Sequence, residues 1–192
     1  LNKKANRLQT GNGNQISTCF KHGDGFSVGR FCTIKNDVII GDNVTIGDYC
    51  KVMHGARIGN NVVIMDYVKL MPGTVIGHNC KLDDYVNTSG YCRIGNNVRI
   101  KRMSVIAQGC VIEDDVQIMV DVSTIRIKRP GEEERPVVFG RGCFIGTKAC
   151  IHAGVRIGHH AIIGAGANVL KDCEPYGIYV GNPAKFIRYQ KG

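Results

Sequence analysis

Aliphatic residues recur every six positions through most of this chain. From Val28 the series runs Val28, Ile34, Ile40, Ile46, Val52, Ile58, Ile64, Leu70, Ile76, Leu82, Thr88, Ile94, Ile100, Ile106, Ile112 and Ile118, with Thr88 its one polar member. It breaks, resumes at Phe139 and continues through Ile145, Ile151, Ile157, Ile163 and Val169. The fourth residue after each is small or β-branched, as at Cys32, Val38, Val44, Cys50 and Ala56. The residue directly after is often Gly, as at Gly41, Gly47, Gly59, Gly158 and Gly164.

A helix cannot use this step, because six residues rotate it by about 600° and wind the apolar stripe around the surface. Short strands joined by tight corners can. Each hexapeptide forms one strand and one corner, and three of them close a triangular coil. The aliphatic fills the interior and the small residue lies where the walls converge. Gly is expected to take corner dihedrals that side chains resist. Coils stack as parallel strands about 4.8 Å apart, so the expected fold is all-β: a parallel β-helix solenoid.

The interruption is charged. Residues 125–138 contain Lys128, Arg129, Pro130, Gly131, Glu132, Glu133, Glu134 and Arg135 and leave the period three residues out of phase. They read as a loop thrown out from the coil, either functional or simply solvated. The expected organisation is residues 1–27 as an N-terminal cap or extension, 28–174 as the β-helix with its insertion, and 175–192 as a tail. Within the tail, Asn182 and Pro183 read as the start of a short C-terminal helix.

Glycine supplies 25 of the 192 residues, about twice its ordinary share, which suits a protein made of corners. Lys and Arg number 25 against 16 Asp and Glu, for a net charge of +9. That excess suits an anionic partner. Nucleic acid is disfavoured, since aromatics are only 7% and no stacking platform is visible. No run of 18 apolar residues is present, so no transmembrane helix is expected. The basic stretch at Lys3, Lys4 and Arg7 has no apolar segment behind it, so no signal peptide is expected. Seven of the nine cysteines (Cys32, Cys50, Cys80, Cys92, Cys110, Cys143 and Cys173) occupy the small inward position. They read as reduced core residues, which implies a cytoplasmic setting. Their spacing holds no zinc pattern.

The repeat together with the ending resembles the left-handed β-helix acyltransferases. The best stretch runs from Val137 to Arg188, notably Phe139–Gly146, Gly154–Gly158, Ile162–Ala167, Lys171 with Asp172, and Gly181–Arg188. Glu174, Pro175 and Tyr176 are most similar to the xenobiotic branch, whereas Ile112–Val116 is more similar to sugar-nucleotide N-acetyltransferases. The resemblance implies a left-handed coil, a homotrimer, and acetyl-CoA in a groove between neighbouring copies. Gly146 and the coil at Gly164, Ala165 and Gly166 would meet the pantetheine arm. Lys171, Lys185 and Arg188 would approach the CoA phosphates. The acceptor would be a small sugar or amino sugar.

One departure stands out. The resemblance places a catalytic His just before the loop, and Arg129 occupies that position. A guanidinium stays protonated and cannot act as a base. His152, on a coil that would line the groove, is the alternative general base. Asp121 and Glu132 to Glu134 are further candidate acids or bases. A third route needs no base if the acceptor amine binds unprotonated. His22, His54, His78, His159 and His160 read as corner residues. The γ-type carbonic anhydrases share this fold, but the second His they place five residues after Gly-His is absent beyond His78 and His160, so no metal is expected. The functional reading is an acetyl-CoA-dependent N- or O-acetyltransferase. The rival reading is a trimeric scaffold or binding module that has lost catalysis.

Overall fold

The computed structural model of the chain describes residues 12–126 and 135–190. It is a parallel β-helix with three faces. Face I starts at Gln15–Ile16 and ends at Asn168–Val169, face II runs from Lys21–His22 to Arg156–Ile157, and face III begins at Ser27–Val28. Outside the insertion and the tail, each strand pairs in parallel with the strand 18 residues away, as in Lys51 with Lys69 and Ile40 with Ile58. Corner 1 joins face I to face II, corner 2 joins II to III, and corner 3 joins III back to I.

Every two-residue strand turns its second side chain inward. Ile34, Ile46, Ile64, Leu70, Ile76, Ile100, Ile118 and Phe139 are all under 2% exposed. Thr88, the polar member of the series, has its own partner: its hydroxyl lies 3.0 Å from that of Thr74, which donates to Met71 O at 2.8 Å. The seven inward cysteines are buried and unpaired, Cys19 is exposed and Cys150 half-buried. Burial pushes the thiols of Cys92, Cys143 and Cys173 up to about 12.

Glycine does not play the part expected of it after the aliphatic. The residue with positive φ is the third after the aliphatic, and most often it is not Gly: Asn43 (54°), Tyr49 (58°), Asn61 (56°), Tyr67 (59°) and Asp115 (63°) are examples. The glycine directly after the aliphatic answers a steric demand instead. A Cβ on Gly59 would lie 2.6 Å from Gly77 O and 2.7 Å from Gly77 C, so the stacked coil leaves no room for one.

Corners are sealed by side chains. The backbone N–H at the second corner position finds no strand partner, and the equivalent side chain one coil above accepts it. Asp24 N donates to Asp42 Oδ1 (2.8 Å), Asp42 N to Asn60 Oδ1 (3.0 Å) and Asn60 N to His78 Nδ1 (2.9 Å). His78 N then donates to Asn96 Oδ1 (2.8 Å) and Asn96 N to Asp114 Oδ1 (2.7 Å). Corner 3 repeats the arrangement through Asp48, Asp66 and Asp84. The backbone N–H and guanidinium of Arg30 hold the Asp48 carboxyl below the usual carboxylate range.

Two expectations are corrected. The coil begins before residue 28, because strands at Gln15–Ile16, Lys21–His22 and Ser27–Val28 already belong to the three faces. Phe20 and Phe26 stand in slots that are small elsewhere, and with His22 they form a ring cluster at centroid distances of 5.2–6.0 Å. Bulk is tolerated there because it closes the bottom of the stack. The tail forms no helix. Gly177–Val180 extends face III and pairs antiparallel with Lys185–Tyr189, while Asn182 and Pro183 lie in the turn between them. Five residues are too few for a stable helix, and Phe186, Ile187 and Tyr189 favour a strand. Phe186 packs against Tyr179 and Tyr189 at 5.6 and 4.9 Å.

The insertion leaves at corner 1, and the lattice closes around it. Val138–Phe139 pairs with Val111–Ile112, and Cys150–Ile151 pairs with Ser123–Thr124. Residues 127–134, with Arg129 and Glu132 to Glu134, lie outside the described residues.

Two measurements test this account. Gly59→Ala must displace backbone and is expected to cost about 2 kcal/mol or more. Gly166→Ala has nothing within 4 Å and only its φ of 67° to strain, so it should cost about 1–2 kcal/mol; urea denaturation ranks the two. The second test is alkaline. Cys92 stays protonated in the fold up to about 12, against 9.0 when unperturbed. Below pH 9 both states hold the proton and its contribution is complete. Above it the unfolded chain ionises first, so stability falls with rising pH by about 1.4 kcal/mol per unit. Cys92→Ala should lose that part of the slope between pH 9 and 12.

Candidate active site

The residues singled out in the sequence occupy two corners and one face. Corner 1 holds His152 and Lys171 on adjacent coils. His152 is half-buried; its backbone N–H donates to Val169 O (3.0 Å) and its carbonyl accepts from Val155 N (3.2 Å). The pairing of Ile151 with Val169 sets Leu170 over His152 and exposes Lys171 beside it. Asp172 Oδ1 accepts the Arg156 N–H at 2.8 Å and seals this corner. Cys150, half-buried on face I close to His152, has its thiol pushed up by burial.

Below the insertion, corner 1 carries a shallow cleft of about 200 Å³ lined by Tyr91, Gln108, Gly109, Arg126, Arg135 and Pro136. Arg126 donates to Gln108 Oε1. His54 shares this corner but lies four coils under the insertion, roughly 19 Å away.

Asp121 does not join His152. It sits on corner 3 at φ 58°, in the coil below Lys148, whose N–H donates to Val120 O at 2.9 Å. Four residues of extended chain separate Lys148 from His152, roughly 13 Å. Gly146 and Ala165 do meet on corner 3: a Cβ on Gly146 would lie 2.5 Å from Ala165 N. Gly146 is therefore required by stacking. Lys185 starts the last strand next to the same corner, where Ala184 N donates to Asn168 O (2.8 Å). Arg188 lies further across face III, opposite Ile178, with Nη1 on Tyr189 O at 3.1 Å. In one copy, then, His152 and Lys171 form one group, Gly146, Ala165 and Lys185 another, and Arg188 belongs to neither. The width of face I separates the two groups. Among the described residues no three His, Cys, Asp or Glu gather as metal ligands do, and no helix is long and apolar enough to cross a membrane.

A step of six hides two ladders that a step of eighteen shows. On corner 3, Phe31, Tyr49, Tyr67 and Tyr85 stack at 4.8–5.1 Å with ring planes within 13° of parallel. On corner 2, Asn43, Asn61, Asn79 and Asn97 pass hydrogen bonds upward to Asp115. Above them the His160 ring stacks on Tyr176 at 5.2 Å.

A family model described as the GMPPB C-terminal domain matches residues 23–126, more than half of the chain, and one described as bacterial transferase hexapeptide (six repeats) matches residues 136–171. The chain belongs to the GMPPB C-terminal domain family. Among curated relatives, a chloramphenicol acetyltransferase of Escherichia coli is 55% identical over 51 residues, covering 27% of this chain and 24% of the relative. The bifunctional protein GlmU of Thermotoga maritima is 32% identical over 71 residues, covering 37% of this chain and 16% of the relative. The chain thus spans a quarter or less of these relatives' length. Among solved structures, LpxA of Bacteroides fragilis, a UDP-N-acetylglucosamine acyltransferase, superposes with a TM-score of 0.80 at 19% identity, covering 92% of this chain and 72% of that one. A point mutant of AntD, an N-acyltransferase from Bacillus cereus in complex with dTDP and coenzyme A, gives 0.57 at 18% identity, over 90% and 84%. These likenesses show the fold, a left-handed β-helix.

The corner ladder gives a test that separates packing from chemistry. His78→Asn keeps an acceptor for the Asn60 N–H and should leave stability within about 0.5 kcal/mol, whereas His78→Ala orphans that N–H and should cost about 1 kcal/mol in urea denaturation.

Proposed function

We propose that the chain forms the coil of an acyl-CoA-dependent acetyltransferase acting on an amino or hydroxyl group of a sugar or sugar nucleotide. The observation that carries the reading is corner 1, where His152 and Lys171 sit on adjacent coils just above the exit of the insertion. The match of residues 136–171 to the bacterial transferase hexapeptide model supports it, as does the likeness to the LpxA fold. In this reading the acceptor nitrogen or oxygen attacks the thioester carbonyl while His152 takes the acceptor's proton as general base. The C–S bond then breaks, and His152 passes that proton to the departing thiolate, so that CoA leaves as the thiol. Lys171 and Lys185 pair with CoA phosphates, and backbone N–H groups support the oxyanion.

The separation of the two groups of residues favours a shared site. A groove between copies, as in a homotrimer, would bring Gly146, Ala165 and Lys185 of one copy towards His152 and Lys171 of the next. Asp121, stacked below Lys148 on corner 3, is left as a structural corner residue. The scaffold reading rests on one sequence feature, Arg129 at the position where the family resemblance expects His.

Acetyl transfer to amino sugars, followed by release of free thiol, tests both readings. His152→Ala is expected to lower kcat by about a hundredfold or more, with acetyl-CoA affinity kept. Lys171→Ala should instead raise KM for acetyl-CoA about fivefold. His152→Ala and Ala165→Trp copies, each inactive alone, should regain activity when co-expressed. Full turnover by His152→Ala would remove the base from that position. No recovery on co-expression would place the site within one copy. Acetyl-CoA binding without turnover by any sugar would favour the scaffold.

A further inference from the structure

The outward strand positions of this solenoid take cations and no carboxylates, while the corners hold both, as at Arg30 with Asp48 and Lys101 with Asp83. The first residue of each two-residue strand points outward, and eight such positions carry Lys or Arg while none carries Asp or Glu among the described strands. The carboxylates lie at corners, where Asp42, Asp48, Asp66 and Asp114 accept backbone N–H groups.

Face II puts its charge in order. Over its five lowest coils the outward positions read Lys21, Ile39, Arg57, Val75 and Arg93, before Val111, Val138 and Arg156 complete the face. A cation recurs every second coil, about 9.6 Å apart, with one aliphatic between each pair. Ile39 and Val75 are each 38% exposed, and the three cations are exposed as well. None of the three stands in an ion pair among the described residues. Face I differs, since Lys51 and Lys69 are adjacent there. At its upper end face II finishes on Arg156–Ile157, the strand that follows the His152 corner.

We propose that face II binds a linear anionic polysaccharide, β-linked and charged on alternate sugars. The argument is one of register. A β-linked pyranose chain advances per sugar by about the same step as the solenoid advances per coil. Successive sugars in such a chain are turned over, so one carboxylate per disaccharide falls on one side, at the two-coil step. Lys21, Arg57 and Arg93 stand at that step and pair with carboxylates. The CH face of each intervening neutral sugar lies against Ile39 or Val75. Single-stranded nucleic acid fits poorly, because every nucleotide carries charge and its bases seek aromatic platforms, whereas no outward position of face II is aromatic. An anionic lipid surface has no register and would take the adjacent lysines of face I at least as well. A glycan laid along face II runs parallel to corner 1, and its upper end points towards the coil that carries His152.

The test is calorimetric titration with hyaluronan oligosaccharides of increasing length, which carry one carboxylate per disaccharide. Affinity is expected to rise with each added disaccharide until three are bound and then to level off. It should fall with added salt. Arg57→Gln and Arg93→Gln should each weaken binding by about fivefold, while Lys69→Gln on face I leaves it unchanged. These are exposed positions, and thermal melts of the variants check that the coil is intact. Dextran binding as tightly as hyaluronan, affinity independent of length, or unchanged binding by Arg57→Gln and Arg93→Gln would each overturn the proposal. So would phosphatidylglycerol vesicles that capture the protein through face II and are not displaced by hyaluronan.

Discussion

A six-residue turn of parallel sheet leaves one backbone N–H without a strand partner along corners 2 and 3, and much of this molecule is arranged around that need. An orphaned N–H at a packed corner costs about 1–3 kcal/mol. The structure meets it from above: Asp42, Asn60, His78, Asn96 and Asp114 each serve the coil beneath. The same corner forces its third residue into the left-handed region. Asn and Asp tolerate that region best, which accounts for Asn43, Asn61, Asn79 and Asn97. Tyr49, Tyr67 and Tyr85 do not share the preference. Their near-parallel stacking at 4.8–4.9 Å supplies contact that offsets the backbone cost.

The fold was legible because the interior slot tolerates little besides an aliphatic, so the period of six survives at nearly every coil. What that period concealed follows from physics it does not encode. Glycine after the aliphatic looks like a conformational requirement, yet Gly59 is held by the carbonyl of Gly77 rather than by its own φ. The first coil escaped notice because Phe20 and Phe26 fill small slots, which only an end coil permits. The tail misled because Asn182 and Pro183 carry a helix-start pattern, whereas the open edge of face III offers hydrogen bonds that a short helix would not use.

The candidate site was legible in part for a similar reason. His152 and Lys171 are nineteen apart, one coil and one residue, and therefore share a corner. Asp121 and His152 are separated by the insertion, so simple counting hides the fact that they lie on different corners. The strand pairings settle the register across it, as that of Ser123 with Cys150 does. Lys185 and Arg188 were expected on a helix, which would have set them on one side. On a strand they fall at opposite ends of the top of face III, with Lys185 opposite Val180 and Arg188 opposite Ile178.

Corner chemistry also decides where charge goes. The sealing position needs an acceptor, which Lys and Arg cannot supply, so Asp, Asn and His collect at the corners. Outward strand positions carry Lys and Arg but no carboxylate among the described strands, and there a long side chain lies along the sheet and carries its head into water. The carboxylates are therefore sorted by the backbone's own demands before any partner is considered. Sorting alone would allow any order along a face. On face I the lysines at 51 and 69 are neighbours, and Lys81 of face III shares Asp83 with Lys101 of corner 3 at 3.8 and 3.3 Å. On face II the cations alternate with aliphatics over five coils. Backbone sealing does not require that alternation and neither does core packing, since both act through the other residues of the hexapeptide. A constraint that originates outside the coil, in whatever lies against that face, is the remaining source of its order.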